Sequence, residues 1–129
     1  MMTITTDLDR TLFPNGKQEY DNSMPVFKRL VEQYQLGLIY VTGRNIDQVQ
    51  EGIDSYDPPA PSQLVAEVGT RVYTYRNGTF VLDQGYRDYI LEHTRRWDRE
   101  EILQKVQAVE WLRLQEEHNQ NEFKISFYA

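Results

Sequence analysis

The chain has 129 residues, and 14 Lys+Arg against 20 Asp+Glu leave it with a net charge of -6. It contains no cysteine, which excludes disulfides, thiolate metal sites and cysteine nucleophiles. The longest stretch free of Lys, Arg, Asp and Glu runs from Gln33 to Gly43, well short of the ~20 apolar residues a bilayer crossing needs. The acidic balance also argues against nucleic acid or an anionic membrane as partner, because neutralising phosphates takes clustered cations.

The opening MMTITTDLDR has neither the basic flank nor the long apolar core of a secretory signal, so a soluble, cytoplasmic protein is the default expectation. Met2-Thr3-Ile4-Thr5-Thr6 is β-branched and meets acidic residues at once; it predicts a buried strand ending at Asp7. Leu12-Phe13-Pro14-Asn15-Gly16 predicts a loop with an Asn-Gly turn. Asn22 or Ser23 then caps a helix whose apolar positions are Met24, Phe27, Leu30, Val31 and Tyr34, with Gly37 placed as its C-terminal cap. Leu38-Ile39-Tyr40-Val41 is an unbroken apolar run, expected of a strand buried on both faces.

Asn45, with Gln48 three residues on, opens a second helix bearing an Ile46, Val49 and Ile53 stripe. Asp57-Pro58-Pro59-Ala60-Pro61 ends it, and Leu64-Val65-Ala66 predicts a third strand. A strand-helix-strand-helix-strand order implies parallel pairing with right-handed crossovers. Asn77-Gly78 between Arg71–Tyr75 and Thr79–Leu82 is a hairpin signal. Tyr86 to Thr94 reads as helical, and Asp98 with Glu101 opens a further helix through Ile102, Leu103, Val106 and Val109. Trp111–Leu114 fits a strand or a helix end equally, and Phe123–Tyr128 predicts a strand with Phe123, Ile125 and Phe127 on one face. Trp97 and Trp111 are expected to be packing residues, and Tyr73 and Tyr75 to be cross-strand packing. His93 and His118 lack ligand-like spacing, so zinc is not expected. The fold class is thus α/β, a Rossmann-like three-layer core with a parallel sheet over residues 1–82, followed over 83–129 by the start of an α+β unit.

Two strand ends carry the chemistry. Asp7 and Asp9 lie just beyond the first strand, and ligands of open α/β sheets bind outside the carboxyl ends of strands. Two residues apart on extended backbone, both carboxylates would point to one substrate, and their mutual repulsion calls for a proton or a hard cation such as Mg2+. The plainer alternative makes them turn or cap residues. At the second strand end, Thr42-Gly43 offers a hydroxyl and an open backbone N–H before the helix that Asn45 caps, a place that favours anions. The plainer alternative leaves Thr42 a strand terminator and Arg44 a solvated charge.

Asp7-Leu8-Asp9-Arg10-Thr11 resembles motif I (DxDxT) of haloacid dehalogenase superfamily phosphatases, and Val41-Thr42-Gly43-Arg44 resembles their motif II in the capped sugar-phosphatase branch. With Glu67-Val68-Gly69-Thr70, Trp97-Asp98 and Phe123-Lys124-Ile125-Ser126-Phe127, the set is most similar to sucrose-phosphate phosphatases and to the phosphatase-like domain of sucrose-phosphate synthases. The resemblance implies Asp7 as nucleophile forming an aspartyl-phosphate and Asp9 as acid and base. It implies Thr42 and Gly43 as phosphate-binding residues, and Arg44, Gly69 and Thr70 as further substrate contacts. It also implies Mg2+ held by Asp7 and by the Asp9 main-chain carbonyl, with residues 83–129 as the start of the cap that selects the sugar. The family's motif III lysine and motif IV acidic cluster are expected after the cap; no Gly-Asp-x-x-x-Asp pattern occurs in these residues. The expectation is therefore an N-terminal phosphatase part with incomplete sheet edges. Such edges favour self-association or a complementary chain. The alternative function is a catalytically silent binding or regulatory module associated with another chain.

Overall fold

A computed structural model describes residues 2–14, 22–94 and 96–129; the Asn15-Gly16 turn expected after the first strand lies outside them. The apolar periods set the element order. Strand β1 (Thr3–Asp7) leads to helix α1 (Ser23–Tyr34), strand β2 (Gly37–Val41), helix α2 (Ile46–Tyr56) and strand β3 (Gln63–Ala66). β1 pairs with β2 and β2 with β3 in parallel, which puts Asp7 opposite Val41 and Tyr40 opposite Leu64. The hairpin β4 (Arg71–Arg76) and β5 (Thr79–Leu82) then joins the same sheet antiparallel, giving the order β1-β2-β3-β4-β5. Its two-residue loop carries Asn77 at φ 51 and Gly78 at φ 81, the left-handed pair that lets a tight turn follow the twist of the strands.

Parallel strands need covering helices, and α1 and α2 supply them to a single cluster. Phe27 and Val31 from α1 and Ile46 and Ile53 from α2 pack on buried Leu8, Phe13, Leu38, Tyr40, Val49 and Leu64. β2 is therefore deeply buried on the Leu38 and Tyr40 side only, while Ile39 is half-buried and Val41 is 37% exposed. The expected burial on both faces does not hold, because both helices feed one cluster. Gly37 is also not the cap of α1. Gln35 takes the left-handed conformation at φ 49, and Gly37 begins β2, where a Cβ would stand 3.1 Å from Thr3 Oγ1. Tyr73 and Tyr75 both pack on Phe80, at ring-centroid distances of 6.4 and 4.8 Å.

Beyond residue 82 come helices α3 (Gln84–His93) and α4 (Arg99–Val106) and the antiparallel pair β6 (Arg113–Leu114) and β7 (Phe127–Tyr128). Asp83 and Asp98 cap the two helices, each accepting at 3.0 Å from the N–H three residues on. α4 stops at Val106, so Val109 lies outside it. The strand expected from Phe123 shrinks to Phe127–Tyr128, because Asn121 and Lys124 bridge each other in a tight turn and Asn121 Oδ1 takes the Phe123 N–H at 2.7 Å. Neither tryptophan is buried as expected: Trp97 is 38% exposed, tied by its indole N–H to the Glu122 carbonyl at 2.8 Å, and Trp111 is 67% exposed. No helix among the described residues is long and apolar enough to cross a membrane.

Candidate active site

Leu8 decides the shape of the first strand end. It is fully buried, and its carbonyl accepts from the N–H groups of Thr11, Leu12 and Phe13 at 3.3, 3.1 and 2.7 Å. The chain thus turns back directly after β1, with Arg10 at φ 60. Asp7 and Asp9 do not share one extended segment; the turn gives each carboxylate its own partner. Asp7 Oδ2 accepts from the Thr11 hydroxyl at 3.2 Å. Asp9 accepts from Arg44, whose Nε lies 2.9 and 3.1 Å from the two carboxylate oxygens and whose Nη2 lies 2.5 Å from Oδ1. Arg44 is held in that pose by Nη1 donating to the Gln48 carbonyl at 3.2 Å and by the Phe13 ring, 5.5 Å from its guanidinium carbon. Cation–π contact and a bidentate fork together fix a side chain that a lone surface arginine would leave mobile.

The second strand end adjoins the first through the Asp7–Val41 pairing. Thr42 is buried; its N–H donates to the Val65 carbonyl at 2.9 Å and its carbonyl accepts from the Val68 N–H at 3.2 Å. Its hydroxyl oxygen accepts from the Arg44 N–H at 3.2 Å, and among the described residues the hydroxyl proton meets no protein acceptor. Gly43 is exposed, and no atom lies within 4 Å of where its Cβ would be. Asn45 and Gln48 form a reciprocal capping box at 2.9 and 3.1 Å. That box uses up the N–H groups of Asn45 and Gln48, while the Thr42 hydroxyl and the Gly43 N–H, neither donating to a protein acceptor among the described residues, can meet an anion here. Asp7, Thr42 and Gly43 thus occupy one corner at the carboxyl ends of β1 and β2.

The third strand end holds a residue that belongs to the family-like Glu67–Thr70 segment without an assigned role. Glu67 follows β3 and is 2% exposed; its carboxylate pairs with Arg71 Nη1 at 3.2 Å and accepts from Asn121 Nδ2. Burial pulls the Arg71 guanidinium down, but a hydrogen bond to Tyr73 and the Glu67 charge outweigh it and leave Arg71 above its ordinary value. Gly69 and Thr70, candidate substrate contacts by resemblance, have protein partners here. The Gly69 carbonyl accepts from the Tyr86 hydroxyl at 2.8 Å, and Thr70 Oγ1 donates to the Glu67 carbonyl at 2.7 Å while accepting from Asn121 Nδ2 at 2.8 Å. Glu67 is marked in the sequence as the acid closing the apolar run Leu64–Ala66 and as part of the family-like Glu67–Thr70 segment, whereas nothing local marks Asn121. His93 stacks on Tyr89 at 4.0 Å and His118 gives its carbonyl to Asn45 Nδ2 at 3.0 Å.

The donors at the first strand end are all oxygens, a chemistry that suits a hard cation keeping several waters and taking one or two carboxylates. No group of three or more His, Cys, Asp or Glu able to hold a metal occurs among the described residues.

Comparison with known proteins gives consistent relatives. The family model described as sucrose-6F-phosphate phosphohydrolase matches residues 1–129. A protein of Nitrosococcus oceani provisionally described as a HAD-like hydrolase is 35% identical over 130 residues, covering 98% of this chain and 34% of its own length. The solved sucrose-phosphatase of Synechocystis sp. PCC6803, in complex with sucrose and phosphate, matches with a TM-score of 0.75 and 26% identity over 98% of this chain and 48% of that one. A haloacid dehalogenase-like hydrolase of Bacillus subtilis, at 16% identity and a TM-score of 0.58 over 84% of this chain and 49% of its own, shares the fold. The chain therefore spans about a third of the curated relative and about half of the solved sucrose-phosphatase.

Proposed function

The chain belongs to the sucrose-6F-phosphate phosphohydrolase family, and from that premise we propose that it carries the nucleophile and phosphate-binding loop of a Mg2+-dependent sugar-phosphate phosphatase, with sucrose 6-phosphate as substrate. The observation that carries this reading is the placement of Asp7 and Thr42 at the ends of adjacent parallel strands, joined by the Asp7–Val41 register.

Asp7 attacks phosphorus and the sugar oxygen departs with a proton from Asp9, leaving an aspartyl-phosphate. Asp9, now a base, takes a proton from water as that water attacks phosphorus, which frees inorganic phosphate and restores Asp7. The Thr42 hydroxyl and the Gly43 N–H donate to the phosphoryl oxygens. The Asp7 carboxylate and the Asp9 main-chain carbonyl would hold Mg2+, which when bound offsets the charge of two aspartates and a phosphate dianion. Arg44 donates to both oxygens of Asp9, which favours the ionised carboxylate and opposes its acting as an acid until the fork loosens. Residues 1–82 form the core and 83–129 the cap side in this reading, and the protein works in the cytoplasm.

The Arg44 fork also favours a second reading, a catalytically silent module that binds phosphate at Thr42-Gly43 and docks on another chain. β1 pairs only with β2 among the described residues, so one edge of the sheet stands open to a second copy or a complementary chain. Gel filtration with light scattering tests this; a stable monomer at all concentrations rules out pairing between copies.

The deciding experiment is phosphate release from sucrose 6-phosphate with Mg2+, wild type against Asp7→Asn. Release by wild type alone supports the phosphatase reading. Equal release by both removes Asp7 as nucleophile. Phosphate binding without release from either supports the silent module.

A further inference from the structure

Backbone at Glu67, Val68 and Gly69 is left-handed, with φ of 53, 59 and 84. Glycine takes that conformation freely, but a β-branched valine is an outlier there. Strain of this kind persists only where the surroundings over-determine it. Here the surroundings can be named. The Glu67 carboxylate is buried between Arg71 and Asn121, and Asn121 comes from the tight turn at 121–124, 54 residues along the chain. The strained turn has a use on its other side: the Glu67 N–H donates to the Arg44 carbonyl at 3.0 Å and the Val68 N–H to the Thr42 carbonyl at 3.2 Å. Those two bonds fix both ends of the Thr42-Gly43-Arg44 loop.

We propose that Glu67 is a positioning residue for the Thr42–Arg44 loop and that Asn121 locks it, so that seating the 117–122 segment sets the geometry of the phosphate-binding loop. The inference rests on the reading of that loop as the phosphate site. A second contact follows the same line: Asn45, which opens α2 directly after the loop, donates to the His118 carbonyl from the same segment. A segment remote in sequence thereby grips the loop from both flanks, through Asn45 and through Glu67. With Asn121 absent, one Glu67 oxygen loses its donor, the turn relaxes toward right-handed backbone, and its two N–H groups leave the Arg44 and Thr42 carbonyls.

The test is NMR on the full chain. In Asn121→Ala the ligand-free amide signals of Thr42, Gly43 and Arg44 are expected to move. Hydrogen exchange at the Glu67 and Val68 amides should quicken, and affinity for inorganic phosphate should fall about tenfold, the equivalent of roughly 1.4 kcal/mol. Adding Val68→Gly, which accepts left-handed backbone without cost, should return the loop signals toward wild type, a rescue that general loosening would not produce. Unmoved loop signals with unchanged exchange at Glu67 and Val68 overturn the proposal. Were Asn121→Ala not to fold, wild-type exchange decides: protected Glu67 and Val68 amides and a protected Asn121 side-chain amide support the lock, and exchange at exposed-amide rates overturns it. If the ligand-free signals respond as expected while phosphate moves none of them in wild type, the coupling stands and the phosphate-site reading fails.

Discussion

Arg44 lays its guanidinium across both carboxylate oxygens of Asp9, a residue 35 positions earlier, with Nε at 2.9 and 3.1 Å. The pair joins the loop after β1 to the loop after β2, so the two strand ends that carry Asp7 and Thr42 are tied independently of the sheet. Both partners are partly exposed, with 30% and 48% of their side-chain surface open, so solvent screening limits what the pair contributes. Arg44→Lys keeps the charge and loses the planar fork. It is expected to cost no more than about 1 kcal/mol in a thermal melt. A loss of roughly 3 kcal/mol or more, the range of a broken buried pair, would show that the fork supports the fold itself.

Gly43 offers a separation of binding from stability. Open space surrounds its Cβ position, and its φ is not among the positive values, so Gly43→Ala should melt within about 0.5 kcal/mol of wild type. The new methyl group stands beside a loop N–H that meets no protein acceptor among the described residues, and inorganic phosphate affinity should fall about tenfold, or ~1.4 kcal/mol, by titration calorimetry. Unchanged affinity would place the anion elsewhere.

Gly52 is required for a different reason. It lies on α2 against buried Phe13, and a Cβ there would come within 2.4 Å of the Phe13 ring. Gly52→Ala should destabilise by about 1–3 kcal/mol through overpacking, measured by urea unfolding. Phe13→Leu in the same chain should recover part of that loss, because the atom met is on the ring. Additive effects of the two substitutions would mean that helix and ring do not meet.

Tyr40 should shape the alkaline limb of stability. Burial raises its phenol above the ordinary value, and the hydroxyl donates to the Pro59 carbonyl. A phenol whose folded pKa lies above its unfolded one stabilises fully below the unfolded value, about 10, and loses that contribution as pH rises above it. Tyr40→Phe should be less stable than wild type at pH 8 by about 1 kcal/mol, since the Pro59 carbonyl loses its donor. The gap should narrow as pH climbs past ~10. Urea midpoints for both proteins between those conditions check it, and a gap constant with pH would contradict the assignment.

Much of this was readable from short stretches of chain. Asn45 and Gln48 are three residues apart and close the capping box expected of them; Asn77-Gly78 turns the hairpin in the register its two-residue length demands. The parallel order of the first three strands followed from alternating periods, and the terminal pattern of motif I and motif II residues led to the family. The misreadings have a common cause. A glycine at position 37 suggests a helix cap because glycine often ends a helix, yet the approach of Thr3 from the neighbouring strand is what crowds its Cβ position. Phe123–Tyr128 has strand-like alternation, but Asn121 spends its backbone and side chain on a turn before the strand can begin.

Most elements are legible in the chain, because dihedral preference, capping and apolar period act over a few residues. The sequence also placed Asp7 and Thr42 at strand ends, where the chain must leave the sheet. Which side chains those ends meet follows from the folded arrangement of the loops. Asp9 faces Arg44 because a buried Leu8 folds the loop back, and Glu67 receives Asn121 from 54 residues away because its carboxylate, once buried, must find donors. Partners at such separations depend on how the sheet brings distant loops together, and no local preference in the chain encodes that meeting.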